Sequence, residues 1–273
     1  MSSAFRRSLP AVLVLATPLL FSAENGAKLT YEQKERFLET AQIVKVKDLS
    51  VGVTNSRRAT LSDGTVTHDA HVQTIDEAKS VFQTDRGSEL NFRDTWKFNV
   101  AAYRLGRMLE LDMIPPSVER KVAGTSAAVT WWEDNTMMEG ERIKQHLSRP
   151  DKDAWNDEMY IVRVFDQLIF NTDRNLQNLL VDKENWRIWM IDHTRAFRLQ
   201  TGLQEKKNLV KCDRQLLAKL RTLDAEKLNA LEPYVNRQEI KGLLARRDKI
   251  VQFFDSEVAK KGEGAVLYDR PPR

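Results

Sequence analysis

Asp173, Asn178 and Asp192 are the residues of this chain best placed to do chemistry together. They lie in FDQLIFNTDRNLQNLLVDKENWRIWMIDHTRAF, residues 165–197. An acid is followed by an amide five residues on, and by a second acid fourteen residues later at the end of an apolar run. Phosphoryl transfer asks a protein for positioning and for cations against the phosphates, more than for covalent chemistry. In that chemistry Asp173 would accept or orient the proton of an attacking hydroxyl. Asn178 offers a neutral oxygen suited to a hard metal ion. Asp192 offers a carboxylate of the kind that holds magnesium between phosphates. Taken singly, each residue reads as easily as a turn or cap, where Asp and Asn are common. The joint pattern is what points to a phosphate and metal site.

The segment between Asn178 and Asp192 is built to close their separation. Leu179-Leu180-Val181 and residues 186–191 are apolar strand sequences, broken only by Arg187, and Lys183-Glu184-Asn185 makes the turn. A hairpin of that kind returns Asp192 to the side of Asn178. Asp166 lies among Val162, Ile169 and Phe170 on the preceding helix. A buried acid needs partners, and Arg174 or a backbone N–H is expected to supply them and so brace the loop. His193 is either a general acid or a positioning residue, positioning being the simpler role.

The rest of the chain must supply the elements that hold this loop. Thr30 and Gln33 form a capping-box pattern that opens a helix over residues 31–43. Residues 51–74 predict a hairpin about the turn Ser62-Asp63-Gly64. Residues 91–111 carry two apolar stripes, Phe98/Ala102/Leu105/Leu109 and Phe92/Trp96/Val100/Tyr103, which predict one long, mostly buried helix. Pro115-Pro116 ends it. Strands are predicted over 118–122 and 127–132, a polar linker over 133–141, and helices over 155–170, 213–223, 225–231 and 237–260. Residues 262–273 are expected to form a disordered tail. There is no internal repeat. The fold expected is α+β with two lobes. A small β-rich N-lobe with one buried helix covers residues 24–135, and a larger, mainly helical C-lobe covers 136–261.

Composition narrows the classes. Apolar residues make up 41% of 273 and charged residues 30%, enough for a sizeable core and inconsistent with disorder. The net charge of +4 falls to +2 once Arg6 and Arg7 are set aside, and no compact Lys/Arg stripe is present, so a nucleic-acid partner is not expected. The single cysteine, Cys212, excludes an internal disulfide framework and a Cys-rich zinc site, and is expected to pack as a small apolar residue. Arg6 and Arg7, the apolar residues 11–21 and the site Phe21-Ser22-Ala23 form an export-signal pattern over residues 1–23. The expectation is an exported protein (periplasmic, secreted or in a secretory pathway). The alternative is a membrane anchor through an uncleaved N-terminal segment. The apolar run is short for a span and carries Pro18, and no later segment reaches transmembrane length.

FDQLIFNTDRNLQNLL followed by WMIDHTRAF resembles the catalytic core of the atypical kinases. That group includes phosphatidylinositol 3-/4-kinases, HipA-type bacterial kinases and secretory-pathway kinases. The pattern they share is an N-x-D-R-x-x-x-N loop followed by a strand ending I-D-H or I-D-F. By order and pattern of elements the resemblance extends over residues 50–200. It implies a two-lobed protein-kinase-like fold, ATP with Mg²⁺ or Mn²⁺, and a hydroxyl-bearing acceptor on a protein, a lipid head group or a sugar. Asp173 corresponds to the catalytic aspartate, Arg174 to the loop's basic residue, and Asn178 and Asp192 to the metal ligands.

The first lobe departs from that pattern. Kinases set a strand lysine on the phosphates and hold it with a helix glutamate. Here the strand reads His71-Val72-Gln73-Thr74, with Gln73 the nearest match to the lysine. Asn99 takes the glutamate's place before Ala101-Ala102. A Gln–Asn pair can hydrogen-bond but brings no charge to phosphate. Lys79, or Arg57 and Arg58 after the loop 52–56 where a phosphate cover is expected, could supply it. Arg57 and Arg58 read equally as solvated strand-edge charges. Trp132, at the expected hinge beside Trp131, could stack on an adenine. Three functions follow: an active kinase, a pseudokinase or nucleotide-binding interaction module, and an exported interaction domain on a degenerate kinase fold.

Overall fold

The computed structural model describes residues 29–49, 56–84 and 87–271. The export-signal pattern and most of the expected phosphate-covering loop lie outside the described residues. Helix α1 (Tyr31–Thr40) opens on the predicted capping box: Gln33 N donates to Thr30 Oγ1 (3.2 Å) and Thr30 N to Gln33 Oε1 (2.8 Å). It stops before Ile43, which enters strand β1 (Gln42–Asp48). The predicted hairpin is β2 (Arg57–Ser62) and β3 (Thr67–Gln73). Asp63 Oδ1 closes its turn on the N–H groups of Thr65 and Val66 (2.8 and 2.7 Å), and Gly64 supplies the left-handed φ of 91°.

Residues 91–111 do not form one helix. β4 (Asp76–Thr84) and β5 (Gly87–Thr95) make an antiparallel ribbon, and α2 (Lys97–Met108) begins only after it. Phe92 lies on the strand, its ring stacked on Phe82 at 4.1 Å between centroids. Residues four apart share a face on a helix and also on a strand of period two, so the Phe92/Trp96 spacing did not discriminate.

β6 (Ser117–Val122) and β7 (Thr125–Trp131) complete an antiparallel sheet of order β1-β2-β3-β7-β6. On one face Phe37 and Leu38 of α1 pack with Ala59, Leu61, Ala70, Val72, Val129 and Trp131. Alternation puts Arg58, His71 and Gln73 on the other face. Ala128, paired with Gln73, shares the larger core with Phe98, Ala102 and Leu105 of α2.

Residues 133–141, expected to be a linker, contain β8 (Thr136–Met138) and the start of α3 (Glu139–Lys144). The Met137 side chain needs burial, and β8 obtains it by pairing with β9 (Leu179–Asp182), which pairs with β10 (Ile188–Met190). Between them runs α4 (Lys152–Ile169), capped by Asp151 and lined by Ile161, Val162, Phe165 and Leu168. β11 (Cys212–Asp213), α5 (Arg214–Thr222), α6 (Ala225–Leu228) and α7 (Arg237–Lys261) complete the helical half. Cys212 is fully buried, and burial pushes its thiol up, as its apolar reading requires.

Residues 262–271 are ordered where disorder was expected. α8 (Glu263–Val266) leads to β12 (Leu267–Tyr268), which pairs in parallel with β11. Val266 and Leu267 are buried, and Asp213 Oδ2 accepts from Arg270 N (3.2 Å). A short apolar run inside a polar tail found a face to cover. Among the described residues no helix is long and apolar enough to cross a membrane.

Candidate active site

The loop that carries Asp173 starts where α4 stops. Phe170 caps the helix in the left-handed region (φ 51°), and Asn171 then folds back on the helix's last acid. Asn171 Nδ2 donates to Asp166 Oδ1 (3.1 Å), while its own Oδ1 accepts from Asp173 N (3.0 Å). Arg174 grips the same carboxylate with two nitrogens, Nε to Oδ2 (2.9 Å) and Nη2 to Oδ1 (3.1 Å). Its Nη1 donates to the carbonyls of Asn178 and Ile191, the latter at 2.9 Å, and Nη2 bonds His193 Nε2 (3.0 Å). One guanidinium therefore ties helix, loop and second strand together. The donors of Arg174 are thus turned inward, onto the loop's own scaffold. The bracing expected of Asp166 is the bond it makes here.

The hairpin brings the second acid back as its length requires. Ile191 N donates to Asn178 O (3.2 Å), which sets Asp192 next to Asn178. Asn178 Nδ2 donates to Asp173 O (2.8 Å), so the amide's orientation is fixed and its Oδ1 carries no protein hydrogen bond among the described residues. Asp192 sits at φ 51°, a region uncommon outside glycine, and its Oδ1 accepts from Thr194 Oγ1 (3.1 Å). Such outliers gather where surrounding structure over-determines them, often at functional sites. Among the described residues no group of three or more His, Cys, Asp or Glu side chains could hold a metal. A pair of one amide and one acid suits Mg²⁺ or Mn²⁺ only if phosphate and water supply the other ligands, as is usual for magnesium on nucleotides.

The electrostatics fit a base. Burial raises the Asp173 carboxyl above its ordinary range; Arg195 opposes this, and the charges of Asp192 and Asp94 add to it. His193 is buried, and burial first, then the Arg174 charge, holds it well below its usual value. It is therefore neutral, with Nε2 accepting from Arg174 and the proton on Nδ1. Held in this way, His193 links Arg174 to the strand end.

The first half of the chain contributes less of what the sequence suggested. Gln73 is fully buried; its Oε1 accepts from Thr74 N (3.1 Å) and Ile75 N (3.3 Å), and its Nε2 donates to Ser56 Oγ (3.2 Å). Two residues earlier on the same face, His71 feels Asp192: burial lowers its imidazole and the Asp192 carboxylate pulls the other way. His71 is thus a strand residue that interacts electrostatically with Asp192. Asn99 Oδ1 accepts from His193 N (2.7 Å), joining α2 to the strand end behind Asp192. Arg58, opposite His71 in the sheet, bonds Asp69 (2.6 Å) and lies 4.1 Å above the Trp132 ring. Arg57 alternates to the face of Ala59 and Leu61, away from His71. Lys79 pairs with Glu77 (2.9 Å) on the ribbon. Trp131 is buried against His68 at 3.7 Å.

Three residues around the site were not singled out from the sequence: His71, Asp94 and Arg195. Arg195 was visible three positions past Asp192. Asp94 was hidden because the ribbon strand that carries it was read as helix.

A five-stranded sheet backed by one buried helix, above a helical half that presents an Asp–Asn loop and an Asp-ended hairpin, defines an atypical kinase-like fold. It is similar to a Fam20 from hydra solved with sugar (TM-score 0.65, 12% identity, covering 88% of this chain and 92% of that one). It is also similar to the Golgi casein kinase solved with Mn and ADP bound (TM-score 0.61, 12% identity, covering 89% and 80%). At that identity the likeness is one of fold. No protein-family model and no curated protein matches the chain by sequence.

Proposed function

We propose that the protein is an ATP-dependent phosphotransferase acting on a hydroxyl. The observation that carries this reading is the assembly of Asp173, Asn178 and Asp192 by two hydrogen bonds, Asn178 Nδ2 to Asp173 O and Ile191 N to Asn178 O. Asn178 and Asp192 would hold Mg²⁺ or Mn²⁺, which supplies positive charge to the phosphates. Asp173 orients the acceptor hydroxyl and takes its proton. The acceptor oxygen bonds the γ-phosphorus, and the bond to the β–γ bridging oxygen breaks with its electrons leaving on ADP. The neighbour solved with Mn and ADP supports the choice of ligands. The export-signal pattern of residues 1–23, with a Golgi kinase among the structural neighbours, supports an exported protein.

A second reading, a pseudokinase that binds nucleotide with little turnover, is favoured by one observation. Gln73 and Asn99 stand where charged residues are expected, and both are held in neutral hydrogen bonds. The first test is thermal unfolding of the full chain with ATP, with and without Mn²⁺. A ligand at 100 times its Kd stabilises by about 2.7 kcal/mol, roughly 5–10 °C for a chain of this size. Asp192→Ala is expected to abolish the metal-dependent part of that rise. No rise for the wild type at millimolar ATP would sink the nucleotide site.

A further inference from the structure

We propose that Arg195 is the cation that meets the terminal phosphates of the nucleotide, in the place of the strand lysine, with Asp94 as the residue that positions it. The inference rests on the nucleotide site proposed above.

Placement comes first. Thr172 donates to the Arg195 carbonyl twice, from its N (3.3 Å) and its Oγ1 (3.0 Å), so Arg195 is pinned against the residue that precedes Asp173. From β5, Asp94 Oδ2 accepts from Arg195 Nε at 2.7 Å. Asp94 is only 2% exposed, and its Oδ1 is buried without a hydrogen-bond partner among the described residues. A buried carboxylate of this kind is stable only beside a cation.

The donors come next. Nε is the one Arg195 nitrogen bonded to protein among the described residues, and both Nη groups remain without a protein acceptor. The side chain is 32% exposed. Among the described residues, the other cations weighed for this role are engaged elsewhere. Arg174 is held by Asp166, Arg58 by Asp69, Lys79 by Glu77, and Arg198 is buried beside Glu89 and bonds Arg93 O. Among the described residues, Arg195 combines a fixed root, a partly exposed fork lying over the Phe92 ring and a place beside Asp173. A guanidinium fork matches two phosphate oxygens, which an ammonium does not. Burial works against its charge, and the bond to Asp94 with the charges of Asp94, Asp173 and Asp192 outweighs it.

The competing interpretation is an ion pair that merely staples β5 to the loop. A staple needs Nε alone, and its loss would loosen the whole site. A phosphate ligand acts only on nucleotides that carry the terminal phosphates, and the test uses that difference. Wild type, Arg195→Met, Arg195→Lys and Asp94→Asn are titrated with ATP and with AMP in the presence of Mn²⁺, by calorimetry. Arg195→Met is expected to weaken ATP about 10- to 100-fold and to leave AMP unchanged. Asp94→Asn should lower the ATP-to-AMP affinity ratio by less. If the Met variant does not fold, Arg195→Lys keeps charge and reach and should still weaken ATP selectively. Undiminished ATP binding by Arg195→Met overturns the proposal, as does an equal loss of ATP and AMP. If the wild type binds neither, the nucleotide site itself is wrong, and this inference falls with it.

Discussion

Asp173→Asn is expected to lower phosphoryl transfer about 10²- to 10⁴-fold, the range a general base contributes, while ATP·Mn²⁺ affinity stays near wild type. The separation follows from the geometry. Asn178 is oriented by the Asp173 carbonyl, not its carboxylate, so the metal position survives the substitution. Among the described residues the carboxylate bonds only Asn175 Nδ2 (3.4 Å), a contact an asparagine can keep. Stability should not fall either. Burial raises the Asp173 pKa in the folded state, so the folded chain holds the proton more tightly than the unfolded one. Its stabilising effect is present at low pH and is lost as pH rises through that raised value. At neutral pH the ionised acid is a cost to the fold, and a neutral asparagine is expected to match or exceed the wild-type Tm. The same shift sets the pH profile of transfer. A base works deprotonated, so activity should fall as pH falls, with the acid limb above the ordinary carboxylate range of about 4. ADP release and unfolding, measured on the same two proteins, check this. Transfer at the wild-type rate would remove Asp173 as the base, and a Tm several degrees lower would mark it as a loop cap.

What the sequence made legible divides along the range of the interactions. The loop and hairpin from Asp166 to Asp192 were readable because their spacing is local: five residues from acid to amide, and a turn at Lys183-Glu184-Asn185 between apolar strands. The Thr30–Gln33 capping box and the β2–β3 turn were readable for the same reason. The ribbon was not, because Phe92, Trp96 and Val100 satisfy a helical spacing as well as a strand's, and only the cross-strand contact with Phe82 decides. Losing the ribbon also lost Asp94 and so the partner that identifies Arg195. The surroundings of β3 were hidden for a different reason. Gln73 was the nearest match to a lysine in His71-Val72-Gln73-Thr74, whereas the influence of Asp192 on His71 comes from the other half of the chain and has no local signature. The tail was misread because Val266-Leu267-Tyr268 is too short to signal burial without β11 to pair with.

Arg246→Met is expected to be the most destabilising single change that leaves all proposed site residues in place. Arg246 is fully buried on α7 with no ion pair among the described residues, and burial lowers its pKa to about 10. Its guanidinium serves three backbone carbonyls: Leu168 through Nε (2.8 Å), and Arg198 (2.9 Å) and Gln200 through Nη1. Leu168 belongs to the last turn of α4, just ahead of the loop that carries Asp173. Residues 198–200 continue the segment that begins at Asp192. The side chain thus closes the gap between the two chain segments on which the site stands. Gly242, one turn earlier on α7, permits the approach: a Cβ there would lie 3.0 Å from Arg198 O and 3.1 Å from Leu199 O. Two effects compete in the Met variant. Removing a buried charge is favourable, while carbonyls left without donors cost about 1–3 kcal/mol each. With three carbonyls against one charge the second effect should win by roughly 2–4 kcal/mol, or about 5–15 °C in Tm. Arg246→Lys should recover little of it, because a single ammonium lacks the planar fork that spans the carbonyls. Urea unfolding of the two variants decides the matter, and a Met variant as stable as wild type would show that the charge costs as much as its hydrogen bonds return. The functional consequence can be read separately, well below the melting temperature. If this arginine sets the spacing of the two segments, ATP·Mn²⁺ affinity should weaken in the folded Met variant although no proposed ligand has been altered.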